Sequence, residues 1–225
     1  MYSSVPDIKQ ALEGHDISHV LLDMDGTLLD RYFDDYFWEH LVPEKYADLH
    51  NISFGRAKEE LLAKYRSQEE TLNWTDIEYW SCQLGIDILA LKEQIRHLIE
   101  VHPHVEAFLK LMRERKKKIY IATNAHDKVL ALKMKKTELG RYLTGTITSI
   151  EMGYPKEHQE FWRRAEKRLQ FRREHTLFVD DTAAVLASAR RYGIRYLVFK
   201  AKGNSKMPLK KNDDFATIVD FNELI

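Results

Sequence analysis

The stretch from Val20 to Asp30, "VLLDMDGTLLD", sets acids against what reads as a buried strand. Asp23 and Asp25 stand two residues apart, and Gly26 and Thr27 follow at once. Carboxylates at the end of an apolar run are costly unless a partner or a cation compensates them. Asp-Gly is also a common turn dipeptide. A surface turn accounts for Asp25-Gly26 but not for Asp23, which continues the run Val20-Leu21-Leu22. These acids call for something opposite them, and the rest of the chain can be searched for it.

The chain has 225 residues, 44% of them hydrophobic, enough for the core of one large domain or for a core and a small second unit. Lys+Arg and Asp+Glu are both 35, so the formal net charge is zero. That balance speaks against a nucleic-acid binder. The basic runs "RERKKK" before Ile119 and "RRAEKRLQFRR" before Glu174 have apolar residues at helical spacing in or beside them, which reads as solvated helix faces. The single cysteine, Cys82, allows no internal disulfide and fits a reducing compartment. The N-terminal "MYSSVPDIKQALEGHDISH" lacks the apolar core of a signal peptide, and no apolar run reaches membrane-spanning length. The expectation is a soluble, cytoplasmic protein with no membrane or nucleic-acid partner.

Five short runs have strand character: His19–Asp23, Ile119–Thr123, Thr144–Ile150, Thr176–Asp180 and Arg195–Phe199. Most are continuously apolar, the pattern of strands buried on both faces of a parallel sheet. Helical spacing separates the later ones, at Val105, Phe108, Leu109 and Met112, and again at Phe161, Ala165 and Leu169. "TAAVLASARRYG" reads as a short helix stopped at Gly193. The alternation predicts an α/β fold with a doubly wound, Rossmann-like parallel sheet. Between the first two runs lies a long segment without strand character, rich in aromatic and helix-favouring residues. A structureless loop of that length is improbable. The expected organisation is a core of residues 1–30 and 103–225 with an inserted all-helical unit at 31–102. The last residues, "FATIVDFNELI", are expected to pack back on the core.

In doubly wound sheets, ligands bind beyond the carboxyl ends of the strands. The first run ends in Asp23, with Asp25 just after it; the second ends in Thr123-Asn124. The third is followed by "EMGYPKE", which offers Lys156, and the fourth ends in Asp180-Asp181. Each has a plain explanation alone: Thr-Asn is a good helix N-cap, a single lysine is usually solvated, and Asp-Asp could be another cap. Four such coincidences at four strand ends describe a site for a divalent cation and a phosphate. A hard cation held by oxygen ligands, with Mg²⁺ the natural choice, neutralises a carboxylate nucleophile and a phosphate monoester together. A lysine offsets charge on the phosphoryl oxygens, and a hydroxyl with backbone N–H groups cradles them. A second carboxylate is then needed to protonate the leaving alkoxide and later to activate water.

"DMDGTLLD", "TNA", "GYPKE" and "VDD", in this order, resemble the four motifs of the haloacid dehalogenase-like (HAD) hydrolase superfamily. The helical insert after the first motif resembles that superfamily's C1 cap. At finer grain "LLDMDGTLLD", "FDDYFW", "LVPE", "TLNW", "TNAH" and "MGYPKEHQEFW" are similar to its GMP/IMP nucleotidase branch. The resemblance implies Asp23 as nucleophile and Asp25 as general acid/base. It implies Thr123, Asn124 and Lys156 as phosphate-binding residues. It assigns Mg²⁺ to Asp23, Asp180 and the main-chain carbonyl of Asp25, with Asp181 orienting metal-bound water, Gly26 permitting the turn and Thr27 bracing it. Two positions depart from the common pattern: Pro155 precedes Lys156 instead of following it, and Asp181 follows Asp180 directly.

An acid at position 25 resembles the phosphatases and mutases of the superfamily, since a leaving halide needs no proton. The expected substrate is a small phosphomonoester, GMP or IMP ahead of phosphoglycolate or a sugar phosphate. A receiver-like phosphoacceptor domain uses similar residues, but its acid pair comes first in the chain and its lysine last. Specificity is expected in the insert, where Asp34, Tyr36, Asn73 and Trp74 offer stacking faces and edge acceptors for a purine. The plainer account of these rings is the core of a small helical unit. His126 either faces the site or lies on a helix surface.

Overall fold

The computed structural model describes residues 4–69 and 71–225. The first helix is α1 (Val5–Glu13), which opens on a capping box between Ser4 and Asp7 and buries Ile8, Ala11 and Leu12. It leads into β1 (His19–Leu22), every residue of which is buried. Six helical stretches follow: α2 (Tyr32–Tyr36), a wide π-type turn (Phe37–Leu41), α3 (Val42–His50), α4 (Phe54–Arg66), α5 (Ile77–Leu84) and α6 (Ile88–Gln94). Short 3₁₀ turns at Leu72–Trp74 and Arg96–Leu98 complete the segment. The chain then alternates as expected. After α7 (Val105–Glu114) come β2 (Lys118–Thr123), α8 (Asp127–Thr137), β3 (Gly145–Thr148), α9 (Ser149–Met152) and α10 (Gln159–Leu169). The last elements are β4 (Thr176–Asp180), α11 (Ala183–Tyr192), β5 (Tyr196–Lys200) and β6 (Ala216–Ile218).

All six strands are parallel, in the order β3-β2-β1-β4-β5-β6. The continuous apolar runs have the cause inferred from sequence. Val20, Leu22, Ile119, Ile121, Leu177 and Val179 pack into one core with α1 and α7. Their neighbours Leu21, Tyr120, Ala122 and Phe178 pack into a second core with α10 and α11. Alternate side chains of one strand thus serve opposite faces, and neither face can be polar.

Several strand ends differ from the sequence reading by a residue or two, and one strand lies outside those expected. β1 stops at Leu22, so Asp23 lies just beyond the strand. The third run ends at Thr148, whose hydroxyl accepts the Glu151 N–H and starts α9, so Ser149 and Ile150 are helical. β6, read only as a packing tail, joins the sheet beside β5.

The helical segment leaves and re-enters the core at one place. Leu29 and Val101 form an antiparallel bridge. Asp30 N–H donates to the Glu100 carbonyl, and His102 N–H to the Leu28 carbonyl, both at 2.9 Å. Several of the segment's aromatic residues pack on one another. Trp38, Tyr65, Trp74 and Trp80 meet edge to face, and Trp80 Nε1–H donates to the Trp74 carbonyl at 3.0 Å.

Candidate active site

The strand order reverses at β1, which has β2 and β3 on one side and β4 to β6 on the other. A crevice therefore opens outside the carboxyl ends of β1 and β4. Asp23 is the first residue past β1, and its N–H donates to the Val179 carbonyl at 2.9 Å, which holds it in line with β4. Asp180 is the last residue of β4. The Lys156 ammonium lies between them, 2.5 Å from Asp23 Oδ1 and 2.7 Å from Asp180 Oδ2. All three side chains are buried.

Lys156 is placed by its backbone. Gly153, with φ +72°, ends α9 and turns the chain back toward the sheet. The Lys156 N–H then donates to Asn124 Oδ1 at 2.9 Å, and the Lys156 carbonyl accepts Trp162 Nε1–H at 2.9 Å. The Asn124 amide also donates to Glu157 at 3.0 Å. Thr123 ends β2, and its hydroxyl oxygen accepts the Ala125 N–H at 3.0 Å, which leaves the hydroxyl proton for another acceptor.

Asp25 follows in a tight loop closed by the Gly26 N–H to the Leu29 carbonyl at 2.7 Å, with Gly26 at φ +89°. Its Oδ1 accepts the ammonium of Lys133, a buried residue of α8, at 2.6 Å. Asp181 has two cationic partners, Lys210 at 2.7 Å and Arg31 at 3.4 Å. It is enclosed by glycines: a Cβ on Gly26 would lie 2.6 Å from its Cγ, and one on Gly203 2.6 Å from its Oδ2.

Burial dominates the electrostatics. It pushes the Asp23 carboxyl up to about 7, with Asp180 and Asp181 adding to the rise against the pull of Lys156. Asp180 is pushed up to about 6 by the same cause. Asp25 rises to about 7 by burial, with Asp34 and Asp23 adding and Lys133 opposing. Burial alone would lower Lys156, but the two carboxylates outweigh it and raise its ammonium. One ammonium thus serves two buried acids, and a doubly charged phosphate would add to the deficit. Asp23, Asp180 and Asp181 each offer an oxygen, and these atoms lie within 4.8 Å of one another. An all-oxygen set of this kind fits a hard divalent cation, whose charge would return the acids to the ionised range.

The structure brings Asp23, Asp25, Lys156, Asp180 and Asp181 to one crevice, with Thr123 and Asn124 at the neighbouring strand end. The four residues of the helical segment are more scattered. Asp34 accepts from Lys92 at 2.7 Å and from Lys133 at 2.6 Å. Tyr36 stands in a row of rings between Tyr32 and His40. Asn73 donates to Gln68 at 2.9 Å, and Trp74 is 41% exposed. His126 caps α8, its Nδ1 accepting the Lys128 N–H at 3.2 Å. Sequence reasoning passed over Arg31, Lys92, Lys133 and Lys210. Lys133 carried a signal: it falls three and four residues after Leu130 and Val129, on the buried side of α8.

The family model of the haloacid dehalogenase-like hydrolases matches residues 17–193. The GMP/IMP nucleotidase YrfG of Escherichia coli (strain K12) is 36% identical over 210 residues, covering 93% of this chain and 95% of that protein. Among solved structures, a HAD phosphatase from Thermococcus onnurineus aligns with a TM-score of 0.79 at 23% identity, over 92% of this chain and 96% of that one. A putative β-phosphoglucomutase from Thermotoga maritima aligns with a TM-score of 0.67 at 17% identity, again over 92% and 96%. The two structural likenesses speak for the fold; the family match takes in all four motif regions, and the curated relative covers 93% of the chain. The chain belongs to the haloacid dehalogenase-like hydrolase family.

Proposed function

We propose that this protein is a Mg²⁺-dependent phosphomonoester hydrolase working through an aspartyl-phosphate on Asp23, and that its substrates are the purine 5′-monophosphates GMP and IMP. Residues 1–30 and 103–225 are its catalytic core and 31–102 its cap. The observation that carries this reading is the Lys156 ammonium bridging Asp23 and Asp180 where β1 and β4 end. The bridge at Leu29 and Val101 supports the division, since it ties the two ends of the helical segment together.

The residues divide the chemistry as follows. An Asp23 carboxylate oxygen attacks phosphorus as the bond from phosphorus to the ester oxygen breaks. Asp25 gives its proton to that oxygen, so the leaving group departs as an alcohol. Asp25, now a carboxylate, takes a proton from water as the water oxygen attacks phosphorus and releases Asp23 and inorganic phosphate. Lys156, the Thr123 hydroxyl and backbone N–H groups near Asn124 hold the phosphoryl oxygens. Mg²⁺ held by Asp23, Asp180 and the Asp25 carbonyl, with Asp181 beyond, supplies charge neutralisation and alignment when bound.

The nucleotide assignment is supported by the likeness to the GMP/IMP nucleotidase. The exposed Trp74 ring and the row at Tyr36 offer stacking faces. Carboxylate acceptors favour the N1–H of a 6-oxopurine, but both oxygens of Asp34 already accept from ammonium groups, Lys92 and Lys133. A phosphatase of phosphoglycolate or a sugar phosphate is the second reading, because the core recognises only the phosphoryl group. Family membership weighs against a receiver-like domain. Measured kcat/KM across GMP, IMP, AMP, pyrimidine monophosphates, phosphoglycolate and hexose phosphates tests the assignment. GMP and IMP are expected to lead. If phosphoglycolate or a hexose phosphate leads, the nucleotidase reading fails and the phosphatase reading stands.

A further inference from the structure

Lys133 lies on the buried side of α8 with 1% of its side chain exposed. Its ammonium donates to Asp25 Oδ1 and to Asp34 Oδ2, both at 2.6 Å. The second Asp34 oxygen accepts from Lys92 at 2.7 Å, and Lys92 is itself 2% exposed. The Lys92 ammonium stands 4.1 Å from the centre of the Phe37 ring and 4.9 Å from that of Phe33. A chain of alternating charge, its lysines buried and its carboxylates about 20% exposed, thus runs from the loop after β1, through α8, to both α2 and α6 of the helical segment.

We propose that Lys133 is the positioning residue for Asp25, locking its rotamer and tying that rotamer to the placement of the helical segment through Asp34. This rests on the reading of Asp25 as general acid/base. Among the described residues, Lys133 is the sole hydrogen-bond partner of the Asp25 side chain. The backbone is already fixed before Asp25 by the Asp23 N–H to Val179 carbonyl bond and after it by the Gly26 N–H to Leu29 bond, with Gly26 at φ +89°. The carboxyl is therefore free only about its own side-chain bonds, and the ammonium removes that freedom. An ammonium on Oδ1 also leaves Oδ2 as the oxygen that can carry a proton. The proton leaves Oδ2 for the ester oxygen as the bond to phosphorus breaks, and in the second half-reaction Oδ2 recovers one from water. Proton transfer needs the donor within hydrogen-bond reach, so a free Asp25 would lose rate without losing its acid.

The test compares leaving groups. Single-turnover phosphoryl transfer to the enzyme is measured for GMP, whose alkoxide needs a proton, and for p-nitrophenyl phosphate, whose phenolate does not. Lys133→Met is expected to slow GMP about a hundredfold, within the range for general acid catalysis, and the aryl ester less than about fivefold. Lys133→Arg is expected to recover at least tenfold of the GMP loss by restoring a cation at Oδ1. Asp25→Asn is the control. If Asp25→Asn splits the two substrates and Lys133→Met slows both equally or neither, the positioning role is wrong and the Asp25 reading stands. If neither variant splits them, both are wrong. Should Lys133→Met not fold, the double variant Lys133→Met with Asp34→Asn removes the charge with one of its partners. The same two substrates, compared in that double variant, then separate the same outcomes.

Discussion

Asn124 and Lys156 are joined by a single bond that the strand ends alone do not foretell: the Lys156 backbone N–H donates to Asn124 Oδ1 at 2.9 Å. The Asn124 amide donates in turn to Glu157 at 3.0 Å. Its side chain therefore holds the loop that carries the lysine, and the proposed contact with phosphate falls to the backbone around it. Asn124→Ala leaves a buried N–H without its acceptor. The expected cost is about 1–3 kcal/mol of stability, read by chemical denaturation, with a fall in kcat/KM as Lys156 loosens. Lys156→Met is expected to lower kcat/KM further, because it strips the cation from two buried acids. A folded Asn124→Ala variant with wild-type stability and rate would show that the loop needs no such brace.

Asp23→Asn preserves shape but removes the proposed attacking charge and one carboxylate of the cluster formed with Asp180 and Asp181. Hydrolysis is expected to fall to background while the circular dichroism spectrum and the unfolding transition remain. Removing one buried carboxylate beside Asp180 and Asp181 relieves repulsion, so stability at neutral pH should hold or rise. Substantial turnover in this variant, with wild-type contamination excluded, would move the nucleophile elsewhere.

Gly26 is the turn residue for two separate reasons. Its φ of +89° is a conformation that side-chain-bearing residues adopt at a cost of about 1–3 kcal/mol. A Cβ there would also lie 2.6 Å from both Cγ and Oδ2 of Asp181. Gly26→Ala is expected to lose stability and activity together. Gly193→Ala separates the two effects, since Gly193 has φ +104° and meets the flexible Arg173 chain at the far end of α11. That variant is expected to lose comparable stability and keep its kcat. Equal losses of kcat in the two would mean that the Asp181 contact is irrelevant.

Much of this site is legible in the chain because its parts are local. A run of apolar residues ending in an acid or a hydroxyl reports a buried strand with a polar candidate site residue at its end, as at β1, β2 and β4. The strand read only as a packing tail, β6, is three residues long, too short to carry a period. Helix α1 is announced only by Ser4, Pro6 and Asp7 at its start. The lysines are hidden for a different reason. Lys133 reaches Asp25 across 108 positions and Asp34 across 99, and no local pattern reports which distant acids a helix will face. The aromatic segment illustrates the limit. Trp38 and Trp80 pack as interior, whereas Trp74 is 41% exposed, and nothing in "TLNW" distinguishes them.

The charge balance at Asp23, Asp25 and Asp180 predicts how Mg²⁺ should act on the fold as pH changes. Burial pushes Asp23 and Asp25 up to about 7 and Asp180 up to about 6, against an ordinary value of 3.8. Between roughly pH 4 and 7 the folded protein keeps protons that the unfolded chain has released. By linkage, the stability these groups contribute is fully present below their unfolded values and is lost as pH rises through the folded ones. A divalent cation competes with those same protons, so it should bind weakly at pH 5.5 and well at pH 8. Without metal, these three carboxyls favour the fold more at pH 5.5 than at pH 8, against the buried His19, which burial holds down at about 4 and which costs stability as pH falls. Saturating Mg²⁺, at about a hundred times its Kd, should then raise the melting temperature by roughly 5–10 °C at pH 8, and by much less at the same concentration at pH 5.5. Asp180→Asn should shrink the pH 8 shift, since it withdraws one of the three converging oxygens. Differential scanning fluorimetry at both pH values, with and without metal, reads this directly. A Mg²⁺ shift of the same size at pH 5.5 and pH 8, unaltered in Asp180→Asn, would place the metal away from these carboxylates.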